Sequence, residues 1–160
     1  MVDRKQIFRL QELFIAVAET KLPSDPQVSW NDYQVMTYYW PSPCDRVEGL
    51  WVNVNEHEIM LATRLSHTHV DADSWEVRNS QAGNVLDRIV DQGIVEALDI
   101  LNSETVFVKL YDNEGNEDTS SGMSPRWNWN DPEQRAGWTK FRGEGWTARA
   151  WDWNGEVKAR

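Results

Sequence analysis

The chain has 160 residues, 26 Asp and Glu against 16 Lys and Arg, and a formal net charge of −10. That length suits one domain, residues 1–160, with a core that needs no disulfide or metal; Cys44 is the only cysteine, so no intramolecular bridge can form. The acidity argues against nucleic acid and anionic membrane as partners, and no apolar run reaches the roughly 18 residues of a membrane span. Arg4 and Lys5 precede an apolar stretch, as in a signal peptide, but Arg9, Glu12 and Glu19 interrupt it. A reducing, cytoplasmic setting is therefore expected.

The first predicted element is a helix capped by Asp3, with Gln6 as the return half of a capping box. Ile7, Leu10, Leu13, Phe14 and Val17 recur at helical spacing, and Pro23 and Pro26 end the segment in a loop. Tyr33 to Trp40 reads as a strand, stopped by Pro41 and Pro43. Leu50 to Val54 and Glu58 to Val70 read as two more, joined in a hairpin through Asn55–His57. A polar stretch, Asp71–Gly83, leads to a second helix. Asn84 is its cap, Asp87 stands in its first turn, and Leu86, Ile89, Val90, Ile94, Ala97, Leu98 and Leu101 form its buried stripe. Gly93 is a place where that helix can bend. Thr105 to Tyr111 is a strand, and the polar, Gly- and Ser-containing run Asn113–Ser124 reads as a loop.

In the last third, Trp127, Trp129, Trp138, Trp146, Trp151 and Trp153 crowd together. Asp131-Pro132 marks the start of a short helix. Trp146–Trp153 alternates as a strand and meets Asn154-Gly155, the signature of a type I′ hairpin turn. The expected fold is α+β: a mainly antiparallel sheet carrying two helices, with a Trp-rich C-terminal hairpin.

The most specific local motif is His67-Thr68-His69. On one uninterrupted strand both imidazoles share a face with Ile59, Leu61 and Leu65, so ring hydrogen bonds at the rim of the core are expected. The alternative is a metal-dependent enzyme centred on His67 and His69, which needs at least a third ligand. Asp71 could supply it only if the chain turns, since an extended strand places it roughly 13 Å from His67. Cys44 sits beside Asp45, a poor setting for a thiolate nucleophile. No P-loop, dinucleotide fingerprint or Gly-x-Ser-x-Gly elbow is present, so no cofactor is expected and catalysis is disfavoured.

The order of features from Leu50 to Asn113, a hairpin ending in His67-Thr68-His69, then an acidic gap, a helix, a strand and a polar loop, resembles the immunity proteins of bacterial polymorphic and contact-dependent toxins. Val70 stands where those proteins usually carry phenylalanine. The resemblance implies a cytoplasmic, non-enzymatic inhibitor that neutralises one basic toxin domain. The charge distribution fits that implication: residues 1–118 carry 21 acidic and 9 basic side chains, the remainder 5 and 7. Asp87, Asp91, Glu96 and Asp99 are expected on the solvent side of the second helix, facing a basic protein partner. Trp151 and Trp153, sharing a strand face with Arg149, are expected half-exposed and available to that partner. The alternative for the same aromatic segment is a carbohydrate- or peptide-binding module.

Overall fold

The computed structural model describes residues 7–158. These form two compact units. The first comprises residues up to Trp40, Leu50–Ala62 and Thr68–Leu98; the second comprises Pro41–Gly49, Thr63–His67 and the chain from Asp99 onward. The fold class is α+β, as predicted, but with two antiparallel sheets in place of one and, among the described residues, five helices in place of two.

In the first unit, helix α1 (Arg9–Lys21) buries Leu10, Phe14 and Ala18, with Leu22 just past its end. Four-residue spacing stacks them on one ridge. The buried ridge lies to one side of the predicted stripe: Leu13 and Val17 are half-buried and Ile7 is exposed. A polar residue explains the shift. Gln11 is fully buried beside Leu10, and its amide is completely used. Its Oε1 accepts from the Phe8 N–H at 2.9 Å, and its Nε2 donates to the carbonyls of Gln34 at 2.7 Å and Val54 at 2.9 Å. The predicted cap, Asp3 and Gln6, lies outside the described residues.

The first sheet runs in sequence order, β1 (Gln27–Trp30), β2 (Met36–Pro41), β3 (Gly49–Val54), β4 (Ile59–Ala62) and β5 (His67–Val70). β1 pairs antiparallel with β2, Val28 opposite Tyr38, and β3 with β4, Val52 opposite Leu61. Two predicted strands are corrected. Tyr33–Val35 is turn, because the Asn31 side chain accepts from the Tyr33 and Val35 N–H groups at 2.9 and 3.0 Å and Gln34 adopts φ +61°. That turn makes β1 a strand where a loop was expected. Glu58–Val70 is not continuous either. The Thr63 hydroxyl takes the N–H groups of Leu65 and Ser66, and the Thr63 N–H reaches the Ser66 carbonyl at 2.8 Å. The chain therefore reverses there, as side-chain-mimicked turns do.

Helix α2 (Trp75–Asn79) occupies part of the predicted polar stretch, and α3 (Val85–Leu101) follows. Asn84 and Asp87 close the predicted capping box: the Asn84 side chain accepts from the Asp87 N–H at 3.1 Å, and the Asp87 carboxylate from the Asn84 N–H at 3.4 Å. Ile89, Val90, Ile94 and Ala97 are buried as expected, together with Ile100. α3 does not break at Gly93. A Cβ there would fall 2.8 Å from Ile59 Cδ1, so the glycine sets how closely α3 approaches β4.

In the second unit, β6 (Thr105–Tyr111), β7 (Glu117–Pro125), β8 (Thr147–Asp152) and β9 (Gly155–Val157) form a sheet in the order β7-β6-β8-β9, with every neighbouring pair antiparallel. Helices α4 (Arg126–Asn130) and α5 (Pro132–Gly137) lie between β7 and β8 in the chain. The Asp131 carboxylate caps α5 through Glu133 and Gln134, as predicted. One sheet face carries Val106, Val108, Leu110 and Ala150, which pack with Trp129 into a core. The C-terminal hairpin forms, but its two loop residues are Trp153 and Asn154, since Asp152 pairs with Gly155. Neither loop residue has positive φ, so the turn is not type I′; the Asp152 side chain holds it by accepting from the Asn154 and Gly155 N–H groups.

Candidate functional site

Amphipathic spacing places the predicted acidic residues of α3 largely where expected. Asp91 and Asp99 are exposed, while Asp87 and Glu96 are half-buried. Asp87, Asp91 and the half-exposed Val95 follow at four-residue steps, so they form one ridge. Asp87 is committed to the Asn84 cap, and Glu96 accepts from Gln92 at 3.1 Å. Asp91 makes no ion pair within the described residues. Asp99 belongs to the second unit, where partial burial first and the charge of Glu104 second raise its carboxyl above the usual value. The negative charge is uneven between units: among the described residues the first carries 12 acidic and 4 basic side chains, the second 13 and 9.

The histidines are not at the rim of the core. The reversal at Thr63–Ser66 resets the strand parity, so Val70 is buried and His67 and His69 are exposed. His69 Nδ1 lies 3.0 Å from Glu58 Oε2, a contact that one uninterrupted strand would have forbidden. The chain does turn at Asp71, whose Oδ1 accepts from the N–H groups of Asp73 and Ser74 at 2.9 Å each. Asp71 thereby lines a shallow cleft of about 380 Å³ with Tyr33, Glu56, His57 and Glu58. Among the described residues no group of three or more His, Cys, Asp and Glu side chains is placed to hold a metal ion. Cys44 is free and half-buried.

Trp151 and Trp153 are buried, at 5% and 9% exposure, which overturns their predicted half-exposure. The physical reason is a lid of charged side chains. The Arg149 guanidinium stacks 5.2 Å from the Trp151 ring, as the shared strand face predicts, and Arg46 stacks on the same ring at 4.9 Å. Trp153 is pinned in its turn by Ser42, whose hydroxyl donates to its carbonyl at 2.7 Å. Neither indole offers a platform to a partner. Trp127-Asn128-Trp129 is helix rather than strand, so its two indoles diverge: Trp127 is 73% exposed and Trp129 2%.

Around Trp151 lies a polar network that the sequence reading missed. Arg46 pairs with Glu117 and donates to the Tyr111 hydroxyl at 3.1 Å; Tyr111 donates to Glu117 at 2.9 Å; Lys109, nearly buried within β6, reaches Glu117 at 3.6 Å. Arg149 holds Glu156 through two bonds of 2.8 and 2.9 Å. The signal for it was Lys109, a lysine inside the apolar run V-F-V-K-L-Y. Burial pushes the Glu117 carboxyl up, but the bonds from Arg46 and Tyr111 and the nearby positive charges outweigh that and hold it below its usual value. Burial and the bond to Glu117 raise the Tyr111 hydroxyl. A depressed carboxylate stabilises the fold above its unfolded pKa and loses that contribution as pH falls through the folded value. Glu117→Gln is thus expected to cost about 1 kcal/mol at pH 7, as partly exposed charged bonds do, and less at pH 3, below the usual carboxylate value. Urea unfolding at the two pH values checks it; an equal cost at both would be the wrong outcome.

The two antiparallel sheets and their helices define an α+β protein in which no described helix is long and apolar enough to cross a membrane. No family model, no curated protein and no solved structure matches the chain.

Proposed function

We propose that this protein is a cytoplasmic, non-enzymatic inhibitor that binds a basic protein domain, in the manner of a toxin immunity protein. The observation that carries the reading is the α3 ridge, where Asp87, Asp91 and Val95 present acid and apolar surface together on the more acidic unit. A ridge of that kind steers a basic partner and seats it on one apolar contact. The order of features from Leu50 to Asn113 supports the same reading through the resemblance to immunity proteins. The test is association with the product of the neighbouring gene, measured from low to high salt. Asp87→Lys with Asp91→Lys is expected to slow association at least tenfold and to flatten its salt dependence, since charges at an interface rim act mainly on the on-rate. Unchanged kinetics with a confirmed partner would refute the assignment of α3.

One observation favours a second reading, a carbohydrate- or peptide-binding module. Trp127 and Phe141 are 73% and 90% exposed in the second unit, and exposed aromatic faces stack on sugars and prolines. Oligosaccharide-induced fluorescence changes that vanish in Trp127→Ala would decide for it.

A further inference from the structure

The first unit contains a cleft of about 400 Å³ at the C-terminal end of α1. Its apolar walls come from Leu22, Val28, Tyr38 and Trp40, and Glu19 and Asp25 stand at its mouth. The walls are positioned by pairing and packing already described. Val28 and Tyr38 face each other across β1 and β2, Phe14 of α1 meets the Tyr38 ring edge-on at 5.4 Å, and Tyr38 stacks on Trp40 at 5.9 Å. The Trp40 indole N–H donates to the Pro23 carbonyl at 3.3 Å, which ties the ring to the loop that forms the opposite wall.

We infer that this cleft receives an arginine or lysine side chain of a protein partner. Three features of the cleft pull in that direction. An apolar wall suits the methylene stem of such a side chain, which stays on hydrocarbon while its head stays polar. Glu19 and Asp25 carry negative charge at the mouth, and both are exposed without an ion pair within the described residues. The carbonyl end of α1 adds the negative pole of a 13-residue helix at the same place. Lys21, the nearest cation in sequence, neither lines the cleft nor pairs with Glu19 or Asp25. Tyr38 senses the uncompensated charge: burial first and Glu19 second raise its hydroxyl. A neutral or anionic side chain would use the walls and leave the mouth unmatched.

The inference deepens the reading of a basic partner and rests on it for the identity of the occupant, but its test needs no partner. The probe is n-butylguanidinium, which carries the arginine head on a short stem, compared with n-butylurea, its neutral counterpart of similar shape. The readout is the Trp40 indole N–H resonance during titration of the intact protein. n-Butylguanidinium is expected to shift that resonance saturably, and n-butylurea to bind about fivefold more weakly, as a carboxylate contact at a partly exposed site predicts. Glu19→Gln with Asp25→Asn should remove the difference between the two probes while leaving the Trp40 resonance dispersed, which shows that the fold is kept. Equal binding of both probes, or no shift with either, overturns the inference. Because the titration contains no partner, that failure is distinct from a failure of the α3 ridge to steer one.

Discussion

Gln11→Ala is expected to destabilise the protein by about 3 kcal/mol, because each polar group left buried without a partner costs about 1–3 kcal/mol. Three groups are at stake: the Phe8 N–H and the carbonyls of Gln34 and Val54. The Val54 bond is buried, while the other two are partly reached by solvent, which keeps the total below the sum of three full penalties. Volume is the competing explanation, since alanine also leaves a void. Gln11→Met separates them: it fills the space and makes none of the three bonds. If hydrogen bonding dominates, Gln11→Met is nearly as unstable as Gln11→Ala in urea. If Gln11→Met recovers most of the stability, the amide is filler and the account of α1 given above is wrong. Gln11→Glu supplies a further check, because a carboxylate keeps the acceptor for Phe8 but turns an oxygen toward two carbonyls.

Gln11 also shows where sequence reasoning loses its grip. The predicted stripe of α1 rested on apolar residues alone, and the polar residue that faces the sheet could not be recognised without the carbonyls it serves, which lie 23 and 43 residues away. Elements whose signal is internal were legible: α3 from its period and cap, β6 from its β-branched and aromatic run, the start of α5 from Asp131-Pro132. Elements defined by a partner were not. β7 reads as a loop because Glu117–Ser121 is polar, yet an exposed edge strand needs no apolar face when β6 supplies its hydrogen bonds. Glu58–Val70 reads as one strand because its residues favour strands, and the turn that breaks it is built by Thr63, whose hydroxyl takes the N–H groups of Leu65 and Ser66.

The same division holds for the candidate sites. The exposed acids of α3 follow from helical period, which assigns faces from sequence alone. The burial of Trp151 does not, because Arg46, which lies over its ring, and Glu117, which holds Arg46, are distant in sequence: 71 residues separate those two. Strand parity correctly put Arg149 beside Trp151, and correctly implied stacking. It could not say that a second arginine from elsewhere would also lie over that ring and turn a half-exposed platform into covered core.

Trp129→Ala is expected to cost about 3–5 kcal/mol, the range for removing a large buried aromatic, whereas Trp127→Ala should fall within about 0.5 kcal/mol of the parent, as surface substitutions do. The two indoles are two residues apart on α4, and helical geometry alone separates them: steps of about 100° per residue put them on nearly opposite sides. Trp129 fills the core between Val106, Val108, Leu110 and Ala150. Its indole N–H meets no acceptor among the described residues, and Arg135 lies over its ring at 5.9 Å while donating to its carbonyl at 3.1 Å. An unpaired buried donor is itself unfavourable. Trp129→Phe therefore loses packing volume but also removes that donor, and the two effects oppose each other. The expected order in unfolding free energy is Trp127→Ala near the parent, Trp129→Phe about 1–2 kcal/mol below it, and Trp129→Ala lowest. A Trp129→Phe variant as unstable as Trp129→Ala would mean that the indole N–H is satisfied and contributes to the core. A Trp127→Ala loss of several kcal/mol would mean that α4 does not present its two tryptophans to opposite sides.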